Sequence, residues 1–158
     1  MTEEKINMDG VNVEENKEPL TDLQEYNISS TVVKLLGDLR KYMLLTQVQI
    51  DLQKKPHQIQ PIMREIYQYE EMKMIMDIRT DMDLVYAYTR DKIVITNMET
   101  IRNKFESAIN YLSSNMMNVK SVLDKSYSEI LDEFLDKLKM LADDITTKSI
   151  YEENFRLQ

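Results

Sequence analysis

From Thr31 onward, apolar residues return about once per helical turn. In SSTVVKLLGDLRKYMLLTQVQIDLQ, Val32, Leu36, Leu39, Met43 and Ile50 share one face at steps of three or four, and Leu35, Leu45 and Val48 widen it. That spacing predicts an amphipathic helix. Ser29 or Ser30 is placed to cap it, because a hydroxyl there accepts from the free amides of the first turn. Gly37 costs such a helix about 1 kcal/mol relative to Ala, and its simplest role is close approach of a neighbouring helix. KKPHQIQP then ends the helix, since Pro56 and Pro61 disfavour α geometry in the residue before them.

A second helix is predicted from about residue 62 to about 95, roughly 50 Å long at 1.5 Å per residue. Its stripe is Ile62, Ile66, Tyr69, Met72, Ile75, Ile78, Met82 and Val85. DKIVIT, 91–96, has strand-like β-branching but no hairpin turn nearby, and is read as helix or a short irregular join. TNMETI reads as a capping box, Thr96 with Glu99, opening a third helix. Met98, Ile101, Phe105, Ala108 or Ile109, and Leu112 line one side of it. SSN, 113–115, marks a break or a bend. Beyond it Met116, Val119, Leu123, Tyr127, Ile130, Phe134, Leu138, Leu141 and Ile145 recur with a mean step of about 3.6 residues, the α-helical period. One long helix with an irregularity near Asp124 accounts for them, although SYSE, 126–129, offers a fresh cap. SIYEENFRLQ at the end has Ile150, Tyr151, Phe155 and Leu157 to tie it to a groove or a partner.

Composition strengthens this reading. The chain has two glycines and three prolines, and from Ile62 to Gln158 neither residue occurs. Sheets need tight turns, and tight turns draw on those residues. The fold class is therefore all-α: an elongated bundle of about four helices, with a coiled-coil-like rod as the variant if the connections fail to turn the chain back. At 158 residues it has the length of one domain. Residues 1–28 hold eight acids against two lysines and lack helical periodicity, which predicts a mobile acidic arm ahead of a single helical domain, 29–158. Residues 29–64 hold six basic groups against two acids. The bland reading is a solvated tail. The sharper one is an arm that lies on the basic segment or competes with an acidic partner for it.

Candidate chemistry is thin. Cysteine is absent, which excludes disulfides and thiolate catalysis. No apolar run suits a signal peptide or a membrane helix, so a soluble intracellular, cytoplasmic protein is expected. YEEMKMIMDIRTDMDLVYAY, 69–88, crowds Glu70, Glu71, Asp77, Asp81 and Asp83 among methionines. Glu70, Asp77 and Asp81 project near one another on a helix and would suit a hard cation. Lys73 and Arg79 neutralise the same side, so these acids are read as the wet face of a helix whose Met and Ile face is buried. Bundles with two metal ions need Glu-x-x-His from two helices, and His57, the only histidine, lies in the proline loop. Glu129 with Asp132 and Glu133 with Asp136 match half of the magnesium motif of helical pyrophosphohydrolases. The other half, Glu15 with Glu18, falls in the arm. Catalytic residues, metals and cofactors are therefore assigned none.

Protein partners remain. Twelve methionines are many for this length, and flexible thioethers suit surfaces that repack on a partner. Met72, Met74, Met76, Tyr88, Met116, Met117 and Phe155 are the candidate interface. Arg40, Lys41, Lys54, Lys55 and Arg64 are a candidate basic patch, to which Lys34, Arg90, Lys92, Arg102 and Lys104 would add, with Tyr42 and Tyr67 for stacking. The pI of about 4.8 opposes independent nucleic-acid binding and leaves it for a subunit inside a larger complex. DLVYAYTRDKI followed by YSEILDEFLDKL resembles the helical domain of GINS replication-complex subunits, without the small β domain such subunits carry. That resemblance implies a replication-complex subunit and assigns no residue a role. The expected function is a non-catalytic structural or adaptor subunit of a homo- or hetero-oligomer. Alternatives are a nucleic-acid-associated subunit of a replication, processing or viral or defence complex, and an acidic inhibitor that mimics a polyanion.

Overall fold

Helix begins earlier than the serine caps predict. In a computed structural model, which describes residues 22–54, 61–120 and 124–147, α1 spans Asp22–Leu52, α2 Pro61–Tyr88, α3 Lys92–Met116 and α4 Lys125–Thr147. Ser29 and Ser30 lie inside α1 and cap nothing. Ile28, assigned from sequence to the arm, is fully buried and extends the row of Val32, Leu35 and Leu39 by one turn. A buried isoleucine one turn upstream gives the helix a reason to start before the serines. Residues 1–21, the rest of the expected arm, lie outside the described residues, as do His57, Lys55 and Phe155.

The predicted long second helix is divided. α2 stops at Tyr88, and Asp91, in extended geometry (φ −78°, ψ 121°), caps α3 by accepting from the Ile93 amide at 2.8 Å. Thr89 Oγ1 accepts from the Asp91 amide at 3.2 Å and fixes the turn. Aspartate is among the strongest N-caps, so the start falls here and the Thr96–Glu99 box is unused. Thr96 is inside α3, its carbonyl accepting from Thr100 Oγ1 at 3.2 Å. The SSN break is absent too, since α3 runs through it to Met116. The expected single helix from 116 onward is instead interrupted. Asp124 Oδ1 accepts from the Ser126 amide at 3.0 Å and from Ser126 Oγ at 2.9 Å, and α4 begins there.

Cross-helix contacts fix the topology. Lys34 meets Asp81, and Tyr42 further along α1 meets Glu71 further back on α2. Asp83 pairs with Arg102 and Arg79 with Glu106 between α2 and α3. Lys104 pairs with Asp144 and Tyr111 with Glu133 between α3 and α4. Tyr127 reaches Gln49, and Phe134 reaches Tyr42, between α4 and α1. In each pair of helices one number rises as the other falls, so all four neighbouring pairs are antiparallel. The ring closes as an up-down-up-down four-helix bundle, and α1, at 31 residues, is about 46 Å long.

The core runs along the bundle axis, from Ile28, Leu35 and Leu39 through Ile78, Met82, Met98 and Phe105 to Phe134 and Leu138. Tyr42 and Phe134 meet edge to face at its centre, ring centroids 5.2 Å apart. All of Met98, Ile101, Phe105, Leu112, Tyr127, Ile130, Phe134, Leu138, Leu141 and Ile145 are buried, as their spacing predicts. Gly37 differs from expectation: a Cβ placed there meets nothing within 4 Å, so no helix of the bundle approaches it closely. Among the described residues, no helix is long and apolar enough to cross a membrane.

Candidate interaction surface

The apolar stripe predicted for α2 does not stay on one face. Its members from Ile66 to Ile78 are three residues apart, and each such step falls about 60° short of a turn. The stripe therefore walks around the helix, and a straight helix in a bundle can bury only part of it. Ile78, Met82 and Val85 are buried, whereas Ile66 (53%), Tyr69 (69%) and Met72 (64%) are exposed, together with Met76 (63%). These four project from the side of α2 turned away from the core. On neighbouring α1, Leu44 (65%) and Val48 are exposed as well. The register set by Lys34–Asp81 and Tyr42–Glu71 brings Val48 level with Ile66 and Leu44 level with Glu70. The α1–α2 half of the bundle thus leaves large apolar side chains of both helices in solvent, with Met72 and Met76 in line with Arg79 and Asp83 on the side of α2 toward α3.

The sequence-based interface candidates separate accordingly. Met72 and Met76 lie in the exposed row, and Met117 is exposed just beyond α3. Met74, Tyr88 and Met116 are half-buried and packed against the core, which withdraws much of their surface from a partner. Sequence reasoning assigned Ile66 and Tyr69 to the core. Their three-residue steps were the signal that they belong outside.

The acids of 69–88 also divide, and here the wet-face expectation is corrected. Asp81 is 1% exposed and faces Asp38, itself buried, across the α1–α2 seam. Lys34 Nζ bridges them, 2.7 Å from Asp38 Oδ2 and 3.2 Å from Asp81 Oδ1, while its stem reaches solvent. Burial, followed by the neighbouring Asp38 carboxyl, pushes Asp81 up to about 7. Burial also opposes the charge on Asp38, but hydrogen bonds with Asp81 and Lys34 outweigh it and hold Asp38 below its ordinary value. Of the two carboxyls, Asp81 is therefore the one that keeps its proton to higher pH. As a carboxylate, Asp81 would leave Oδ2 buried with no partner. The bond to Asp38 raises Lys34 in turn. Further along the seam Glu71 faces the buried Tyr42 hydroxyl, and burial pushes both upward. Among the described residues no group of three His, Cys, Asp or Glu side chains is placed to hold a metal. At Asp38 and Asp81 the lysine ammonium fills a cation's place.

Of the basic patch, Lys55 and the Arg64 side chain lie outside what is described, and Arg40, Lys41 and Lys54 do not gather at one place. Arg40 and Lys41 are exposed on α1, Lys41 leaning 3.8 Å from Asp38 Oδ1, and Lys54 sits about 20 Å further along, in the turn just past the end of α1 near Asp51. Arg64 belongs to α2. Two of the additional bases are spent elsewhere. Arg102 pairs with Asp83 and lies 4.9 Å over the Tyr86 ring, and Lys104 Nζ is 2.7 Å from Asp144. Tyr42, proposed for stacking, is at the centre of the core. A shallow cleft between α2 and α3, lined by Asp83, Tyr86, Glu99, Arg102 and Asn103, is crossed by that same arginine. Comparison of the chain with protein-family models, with curated proteins and with solved structures finds no match, so the resemblance to GINS subunits gains no support from it.

Proposed function

We propose that this protein is a non-catalytic structural or adaptor subunit that binds another protein through the outer surface of α1 and α2. The observation that carries the reading is the row Ile66, Tyr69, Met72 and Met76, in solvent on a helix whose opposite face is buried. Scattered apolar side chains need no explanation, but a contiguous row of large ones is the mark of a contact surface. Methionine and tyrosine suit that use: one adapts its shape, the other combines apolar area with a polar tip. Nucleic-acid association inside a complex draws less support, because Arg79, Arg102 and Lys104 are engaged by acids of neighbouring helices.

The test is the double substitution Met72→Glu with Met76→Glu. Both side chains are exposed, so the variant keeps the helical content and unfolding midpoint of the parent to within small surface effects. Quantitative co-purification from the native host, parent against variant, then reads the surface. Loss of specific companions from the variant is expected. Identical companions in identical amounts would remove the surface from consideration.

A further inference from the structure

Gly37 presents a problem that the bundle does not solve. A glycine inside a 31-residue helix is unfavourable, and among the described residues no neighbour requires it. It sits on the outer face of α1, in a row with exposed Val33, Leu44 and Val48, and bases border that row: Lys34, Arg40 and Lys41, all exposed. The row is an apolar seam with a notch in it and a positive rim.

The counterpart is on the same molecule, facing another way. The outer face of α4 exposes Glu129, Asp132, Asp136 and Asp143, with the exposed base Lys139 beside them, and among them one large apolar side chain, Met140, 64% exposed. A methionine standing in a negative field matches a glycine notch in a positive one. The spacing matches as well. With Met140 of one copy over Gly37 of another and the two helices antiparallel, Asp136 falls level with Lys41 and Asp143 level with Lys34. Arg40 falls level with Lys137, but Lys137 is turned over the Tyr111 ring at 4.9 Å, off the outer face of α4. Neither face covers the other within one chain, because α1 and α4 pack through their inner sides.

We propose that the outer faces of α1 and α4 are the two halves of a head-to-tail contact between copies of this chain, Met140 of one seated on Gly37 of the next. Such a contact is heterologous, so it propagates into a ring or an open row and does not stop at a two-fold dimer. One helix pair buries area at the low end for a specific interface. Self-association is therefore concentration-dependent and weakened by salt, which screens the charged rim.

Sedimentation velocity on the full chain over a range of concentrations, at low and high salt, tests it. Two variants carry the logic: Arg40→Glu with Lys41→Glu closes the α1 face, and Asp136→Lys with Asp143→Lys closes the α4 face. Each alone is monomeric, and a mixture associates again, because the unaltered α4 face of one variant meets the unaltered α1 face of the other and the two reversed faces are themselves opposite in charge. Lys41 also lies near Asp38, so Gly37→Leu serves as an independent variant: a Cβ there meets nothing within 4 Å, far-UV circular dichroism checks that the helices are kept, and self-association weakens at least tenfold. A parent that stays monomeric at every concentration overturns the proposal. So does association that survives both charge reversals, or a mixture that stays monomeric. Association abolished by Met72→Glu with Met76→Glu but not by the charge reversals would place self-contact on the α1–α2 surface and overturn it too. Binding of another protein to Ile66, Tyr69, Met72 and Met76 of α2 is read separately by the Met72→Glu with Met76→Glu variant, since Leu44 and Val48 of α1 lie on the face proposed here for self-contact.

Discussion

Asp81 gives the most direct test of the bundle's electrostatics. Its side chain is enclosed between α1 and α2, and its carboxyl is pushed up to about 7 from an ordinary value of 3.8. Between those limits the folded chain holds one proton more than the unfolded chain. The group's contribution to stability is thus fully present below about 3.8 and is lost as the pH rises through about 7. The slope is about 1.4 kcal/mol per pH unit, which over this window sets a ceiling of about 4 kcal/mol. Asp38 titrates the other way, since its lowered value favours the fold above the ordinary range and is lost only in stronger acid. Glu71, raised, adds to the loss on the alkaline side. Asp81→Asn removes the charge, keeps the shape and leaves an amide to donate to Asp38. Its Oδ1 still accepts from Lys34 in place of the Asp81 Oδ1 that lies 3.2 Å from that ammonium, now as a neutral acceptor. The balance is a gain above pH 7 that stays below the ceiling of about 4 kcal/mol, and little change near pH 4, where Asp81 is itself neutral. Urea unfolding followed by far-UV circular dichroism, from pH 4 to 8.5, reads both. A variant less stable than the parent at pH 8, or one with the parent's slope between pH 4 and 7, would show that Asp81 is ionised in the fold and the reasoning wrong.

Three further outcomes are expected. Gly37→Ala stabilises the monomer by about 1 kcal/mol, since the helix gains propensity and no neighbour is met; thermal unfolding at low concentration measures it, and destabilisation would mean that something in the chain occupies that space. Phe134→Ala costs about 3–5 kcal/mol, because the ring is fully buried against Tyr42 and leaves a cavity; a loss under 1 kcal/mol in chemical denaturation would contradict the central packing. Asp91→Ala costs about 0.5–2 kcal/mol by removing the acceptor for the Ile93 amide. Hydrogen exchange should quicken at the first turn of α3 in that variant and stay unchanged in α1.

What the chain's own pattern decided was the class and the cores of α3 and α4. Phe105, Ile109 and Leu112, and Tyr127 through Ile145, recur at close to 3.6 residues, so one face stays one face over the full length and any neighbour will bury it. The α2 pattern carries no such answer. Steps of three wind its apolar residues around the helix, and which segment of the spiral is covered depends on where α1 and α3 lie. Both press on the side of Ile78, Met82 and Val85, leaving Ile66, Tyr69 and Met72 outside and drawing Asp81 in. Local chemistry was similarly ambiguous at the breaks. Thr96 and Asp91 both qualify as caps, as do Ser126 and Asp124, and in each case the aspartate is used. Burial belongs to the neighbours as much as to the residue, so the tertiary structure alone decided which acids are solvated, which are enclosed, and which apolar faces remain open to another molecule.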